Sequence, residues 1–380
     1  MLQCIAALTM RERLFMQKYS SILYSKAACN TIISRFPTAE VLPPTYKLNY
    51  HHGVFFSGLL RTYLACNDKM YYDYLKAHYE YHIDENGNVH NEEDTEELDD
   101  LQPGINMFYL YKRTGDMRYK IALVTFIEKI KNWKENDAGG FWHKDYFPNQ
   151  MWLDGLYMTC PLLAQYAHEF NAPECFDIAI RQIQIMWENT YDEKSGLLFH
   201  GWDASCEADW ADKKSGRAPE FWGRSIGWVG VAICDVLDYL PETHEGRKLL
   251  EEYLQKLMTA LISYQAENGM WYQIVDKGDR EDNWAETSCS CLFVYSLLNS
   301  IKKGVISKEY ENQAIKGYEA VIAQTEDKDG SLEINNVCVG TGIGDYDYYI
   351  NRPTKSGDLH GMGAFMLMCM MMHEYQESVL

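Results

Sequence analysis

The sequence predicts an all-α fold, a single-domain six-hairpin (α/α) barrel, over its 380 residues. Three observations lead there. The helical apolar period, or an all-apolar run of helical length, recurs twelve times with no convincing long strand between. The connections alternate between short and long. The helical stretches themselves alternate between two-faced and apolar nearly all round.

In chain order the stretches are 11–36, 50–66, 69–82, 103–114, 116–134, 151–169, 174–190, 219–239, 244–264, 283–302, 307–324 and 356–376. Stretches 116–134 and 244–264 carry one apolar face and belong on the outside, whereas 219–239 and 356–376 are apolar throughout and belong inside. Short turns lie at Gly115–Asp116, Asn171–Pro173, Pro241–His244 and Lys303–Ile306; long connections occupy about 135–150, 191–218, 265–282 and 325–355. In antiparallel helices alternate connections share one end, so the long loops gather on one face, where function is expected. These loops share a weak repeat: Gly140-Phe-Trp-His, Gly196-Leu-Leu-Phe-His, Gly269-Met-Trp-Tyr and Gly330-Ser-Leu-Glu, with Gly87-Asn-Val-His as a fifth copy. Glycine spacings of 53, 56, 73 and 61 residues suit a unit of two helices and a loop. An open α-solenoid is the competing architecture; its apolar last helix argues against it. The whole chain, 1–380, reads as one domain, with 1–36 an N-terminal helical segment of the barrel.

Composition narrows the function. Thirty-five basic against 55 acidic residues give a net charge of −20, without a basic stripe, which disfavours nucleic acid and long acidic polymers as partners. A small acidic ligand stays open where local cations prevail. Fifty-two aromatic residues (14 Phe, 10 Trp, 28 Tyr) offer material for a core or for a sugar-stacking site. Eleven cysteines, odd in number and without metal-ligand spacing, read as reduced core thiols in a cytoplasmic protein. The apolar opening MLQCIAALTM has its charges, Arg11 and Arg13, behind it, unlike a targeting signal, and no run suggests a membrane span.

The first turns of the inner helices should crowd around one pocket. Asp154 opens one, Arg224 and Trp228 stand four apart on another, and Gly361 and Gly363 open the last. Asp154 suits either a helix cap or chemistry; Arg224, between two tryptophans, suits a carboxylate or a buried ion pair. Trp142, Trp152, Trp202, Trp222 and Trp228 fall in or beside long loops and are expected as sugar-stacking walls. His143, His200 and His360 are expected to touch substrate rather than a metal. GTGIGDYDYY at 340–349 lacks the strand and helix that a phosphate loop needs. Neither a metal nor a cofactor is expected.

The blocks W-L-D-G-L-Y-M ending at Met158, P-E-F-W-G-R-S-x-G-W (219–228), W-A-E-T-S (284–288) and V-G-T-G-x-G-D-Y-x-Y-Y-x-N-R-P-T…D-L-H-G-x-G-A-F (339–365) together resemble glycoside hydrolase family 105, the unsaturated rhamnogalacturonyl hydrolases. The resemblance runs from about Tyr50 to Met372 and implies the same barrel. It implies a substrate made by pectin lyases, an oligosaccharide ending in a 4,5-unsaturated galacturonic acid, removed by hydration of the enol ether. By motif it makes Asp154 the catalytic acid/base, with a raised pKa. It brings Asp99, or its neighbour Asp100, into the pocket. It gives His143, Trp152, His200, Trp222, Arg224, Trp228 and Tyr50 substrate-binding roles, with Arg224 on the uronate carboxylate. Related unsaturated glucuronyl hydrolases, a sugar epimerase on the same barrel, and a non-catalytic sugar-binding barrel are the alternatives. The expected partner is a small acidic oligosaccharide, without nucleic acid or membrane, and the expected state is a monomer or homodimer.

Overall fold

The structure, a computed structural model, describes residues 10–379 except Asp94, with side chains from Ser21 onward. The opening apolar segment therefore lies outside the described residues. Twelve long helices appear where periodicity places them: α1 (Met10–Arg35), α2 (Tyr50–Cys66), α3 (Lys69–His82), α4 (Gly104–Thr114), α5 (Met117–Lys131), α6 (Asp154–Phe170), α7 (Glu174–Thr190), α8 (Gly223–Tyr239), α9 (Gly246–Ser263), α10 (Thr287–Lys302) and α11 (Glu311–Ile322), followed by a short α12 (Tyr346–Ile350) and then the last long helix, α13 (Leu359–Val379). Local chemistry sets their ends. Asn49, Asp68 and Asp116 accept main-chain N–H groups at the starts of α2, α3 and α5, and Asn67, Gly115 and Asn171 close helices in the left-handed conformation.

Packing follows the alternation. α2, α4, α6, α8, α10 and α13 each touch the next, and α13 returns to α2, so the inner ring is closed. α1, α3, α5, α7, α9 and α11 pack outside it. This is an (α/α) barrel, not an open solenoid. The inner helices are largely apolar, and α10 and α13 are buried along most of their length. Close approach needs glycine at the seam between first and last inner helices. A methyl on Gly363 would lie 2.6 Å from the carbonyl carbon of Val54. Main chain cannot yield there as a side-chain tip can. Gly363→Ala should destabilise the barrel by roughly 1–3 kcal/mol, read as a lower urea midpoint at unchanged slope.

The inner helices begin three to four residues later than the apolar pattern suggests at 151, 219, 283 and 356. Their approach segments are extended instead. β1 (Gln150–Trp152) pairs antiparallel with β2 (Gly201–Asp203), Trp222 bridges Ile274, and Tyr272 bridges Ala285. β3 (Thr325–Lys328) and β4 (Ser331–Ile334) form a separate hairpin. The glycine repeat marks the turn leaving each outer helix toward this extended collar. Gly87, Gly196, Gly269 and Gly330 have positive φ; in the Gly140 copy it is Gly139, one residue earlier, that does so. Near 340–349 a helix does open, contrary to expectation, but it is the short α12, capped by the Asp345 side chain rather than by the glycines. The ten cysteines among the described residues are all free, eight of them buried. No helix among the described residues is long and apolar enough to cross a membrane.

Candidate active site

The inner-helix N-termini and the collar enclose a cavity of about 440 Å³. It is walled by Tyr50, Asp99, His143, Trp152, Asp154, Trp222, Arg224 and Trp228, eight of the nine residues that the family resemblance brings there. Trp152 stands on β1 and Trp222 on the bridged strand before α8, while Arg224 and Trp228 share one face of α8. The rim is Gly340-Thr341-Gly342. Trp142 and Trp202 do not line the cavity. Trp142 lies beneath Lys134, and Trp202 is tied through its indole N–H to Ser215 on the loop.

Asp154 is the first residue of α6 and caps nothing; the cap position is Leu153. Its Oδ2 lies 3.1 Å from His200 Nε2, and His200 Nδ1 lies 2.6 Å from the Tyr349 hydroxyl. A carboxylate partner places the imidazole proton on Nε2, so Nδ1 accepts from the tyrosine. His200 is wholly buried and reaches the site through Asp154, not by facing the cavity. Its ring holds the Asp154 carboxylate from behind. Burial pushes the Asp154 carboxyl up, but the His200 hydrogen bond and the positive neighbours outweigh it, leaving the group below its ordinary value. The expected upward shift is not found at Asp154.

The raised carboxyl is Asp99. Burial, helped by the charges of Glu97, Asp154 and Asp100 against the opposing pull of Lys144, lifts it to about 7. It faces the cavity, whereas Asp100 turns to Lys47 at 3.2 Å and lines the adjoining cleft. That resolves the choice between the two aspartates. His143 lies 3.6 Å from Asp99 and stacks on Trp152 at 4.4 Å, and desolvation holds it neutral, with a pKa of about 3. Two carboxyls in one desolvated pocket thus differ in protonation near neutral pH, the pattern that divides acid and base roles.

Arg224 is buried with its guanidinium 4.6 Å from the Trp222 ring. It donates to the main-chain oxygens of Cys338 (2.6 Å) and Val339 (2.7 Å), and to Ser288 Oγ (3.3 Å). His360 Nε2 lies 2.9 Å from its Nη1, and His360 Nδ1 lies 3.1 Å from Asp358. His360 therefore stands behind the arginine, not in the cavity. Tyr349, Lys144, Glu97 and Asp358 escaped the sequence reading as site residues. Tyr349 and Asp358 sit inside the 339–365 block, whose chemistry was visible only as a motif.

Two histidine clusters could suggest metal binding: His52, His78 and His82, and His51, Asp358 and His360. In the first, His52 Nδ1 accepts the Asn49 N–H, which leaves Nε2 protonated toward Leu42 O. In the second, His360 Nδ1 lies 3.1 Å from Asp358, itself a member of the cluster, and Nε2 lies 2.9 Å from the Arg224 guanidinium.

The barrel and its carboxyl-bearing, tryptophan-walled cavity define a glycoside hydrolase, as the comparisons bear out. Residues 24–376 match the model of Glycosyl Hydrolase Family 88, and the chain belongs to that family. It is 32% identical to a glycoside hydrolase from family 105 of C. acetobutylicum; the two structures superpose with a TM-score of 0.87 over 92% of this chain and 99% of that one. It is 31% identical over 238 residues to "Protein Atu3128" of Agrobacterium fabrum (59% of this chain, 99% of that protein). It is 22% identical over 339 residues to "Unsaturated rhamnogalacturonyl hydrolase YesR" of Bacillus subtilis (85% and 88%).

Proposed function

We propose that this protein removes a 4,5-unsaturated galacturonic acid from the non-reducing end of fragments left by pectin or rhamnogalacturonan lyases. The observation that carries the reading is the pairing of Asp154, held by His200, with a second buried carboxyl, Asp99, in one aromatic cavity. The name of the Bacillus subtilis relative supports the substrate class. The whole chain, 1–380, acts as one barrel domain in this reading, and its free thiols suit a cytoplasmic enzyme finishing imported fragments.

Hydration begins with a proton delivered to carbon 4 of the enol ether, which develops positive charge at carbon 5 and the ring oxygen. Water then adds its oxygen to carbon 5 and gives a proton to a carboxylate. The hemiketal opens between carbon 5 and the ring oxygen, and carbon 1, now a hemiacetal, expels the remaining sugar as an alcohol. One carboxyl suffices for both transfers, so the carboxylate separation that sorts ordinary glycosidases has no bearing. Asp154 is the acid/base in this scheme. The uronate carboxylate and the loss of water on binding both raise its pKa from the low resting position. The upward shift that burial gives Asp99 favours a second division of labour, in which Asp99 protonates carbon 4 and Asp154 with His200 draws the proton from water.

Trp152, Trp222 and Trp228 supply flat walls for the sugar, and Tyr50 and His143 polar edges. Arg224 meets the uronate carboxylate. Because that contact exists before and after proton transfer, Arg224→Ala should raise KM about 30-fold with kcat within threefold, in line with a charge-assisted hydrogen bond. Steady-state kinetics check it. The decisive experiment incubates the protein with unsaturated disaccharides from pectin, rhamnogalacturonan and chondroitin lyases and follows the absorbance of the conjugated double bond. Loss with the rhamnose-linked substrate is expected. Loss only with the chondroitin product would move the assignment to glucuronyl fragments, and no loss would end the hydrolase reading in favour of epimerisation or simple binding.

A further inference from the structure

We propose that Glu97 makes this pocket select an uncharged sugar next to the unsaturated uronate, by neutralising the two lysines that could otherwise hold a sulfate or a second carboxylate. This deepens the substrate reading above and rests on it. The cavity runs from a buried end, where Arg224 is 3% and Trp228 1% exposed, to an outer wall where Tyr146 is 46% exposed. The uronate belongs at the arginine end. The sugar that is released therefore lies along the wall built by Lys47, Glu93, Glu97, Lys144 and Tyr146.

Both lysines of that wall are engaged. Lys144 Nζ lies 2.8 Å from Glu97 and 3.9 Å from Asp99. Lys47 Nζ lies 2.6 Å from Glu93, 3.2 Å from Asp100 and 3.9 Å from Glu97. Glu97 is the group common to both, and the Tyr146 hydroxyl donates to its Oε1 at 2.7 Å, fixing its direction. Although burial opposes it, the two lysines and the tyrosine keep this carboxyl ionised. Arg224, the third cation of the lining, holds the Cys338 and Val339 oxygens as well as facing the cavity. Behind the rim, Arg352 donates to Gly340 O and Thr341 Oγ1 and does not line the cavity. Among the described residues the lining thus has three cations against four carboxyls, Glu93, Glu97, Asp99 and Asp154. A second anionic group on the substrate would have to displace a carboxylate from a lysine in a low-dielectric wall, inside a chain of net charge −20.

The test measures binding by calorimetry with the Asp154→Asn protein, which does not consume its ligand. The probes are an unsaturated galacturonyl–rhamnose disaccharide and the same disaccharide carrying a sulfate on the rhamnose. At low salt the sulfated ligand should bind roughly 30-fold more weakly, and the gap should narrow as ionic strength rises. Adding Glu97→Gln should shrink the ratio by about tenfold, mainly by tightening the sulfated ligand. Glu93→Gln, on the exposed side of Lys47, should shrink it less and serves where circular dichroism shows the Glu97 variant unfolded. Equal affinity for the two ligands, or a ratio that neither variant moves, would overturn the proposal. Binding of neither ligand overturns this proposal together with the uronate reading. Discrimination in binding without loss of the double bond in the unsubstituted protein upholds the selectivity and overturns hydration alone.

Discussion

Asp154→Asn should leave the barrel folded and the sugar bound while kcat falls roughly 10³- to 10⁴-fold, the range that a positioned acid/base contributes. The fold is spared because Asp154 caps no helix, and its side-chain hydrogen bond is to His200, which an asparagine oxygen can still accept. Binding is spared because the tryptophans and Arg224 are untouched. At about 1.4 kcal/mol per tenfold, the loss corresponds to about 4–5.5 kcal/mol of barrier. Single-turnover measurement of double-bond absorbance checks it, and turnover near that of the unsubstituted protein would take Asp154 out of the mechanism.

Asp99→Asn should change the pH response in a direction that the burial of this residue dictates. In the folded protein the Asp99 carboxyl is raised from 3.8 to about 7. The folded state therefore keeps a proton that the unfolded chain releases, and the stability this contributes is complete below the unfolded value and drains away as pH climbs to about 7. An uncharged asparagine removes the drain. The variant should gain on the unsubstituted protein in denaturant melts between about pH 4 and pH 7, then hold its lead above. In catalysis the same ionisation sets a second negative charge beside an anionic substrate. kcat/KM should accordingly fall above pH 7 in the unsubstituted protein, and this limb should vanish in Asp99→Asn. If Asp99 is also the proton donor to carbon 4, kcat of that variant collapses as well, which separates the two divisions of labour. A limb that persists in the variant would assign it to another group.

Much of this architecture was legible in the chain. The twelve helical periods, their alternation of apolar and two-faced character, and the side on which long loops gather all follow from burial, and burial writes itself into residue spacing. Where extended chain gives way to helix was not legible. Met151, Trp152 and Leu153 are as apolar as the helix they precede, as are Phe221 and Trp222, and an apolar run looks alike in a buried strand and a buried helix. In the site, motifs brought the carboxyls and tryptophans to one place, but not the order of contact. The His200 bond to Asp154 spans 46 residues and its bond to Tyr349 spans 149, so that only the folded ring shows the histidine standing behind the aspartate. Protonation was misjudged for the same reason. Local sequence suggests a desolvated Asp154, but the histidine that lowers it is distant in the chain, while the aspartate left without such a donor is Asp99.

The Arg224 grip on Cys338 and Val339, together with the seam between α2 and α13, has a consequence for biosynthesis. A nascent chain halted after Trp228 but before Cys338 has emerged from the ribosome holds both aspartates and all three tryptophans, yet has nothing to shut the ring or anchor the arginine. Activity should therefore switch on in a single late event of translation, and ribosome-stalled intermediates should be silent however many helices they have already folded.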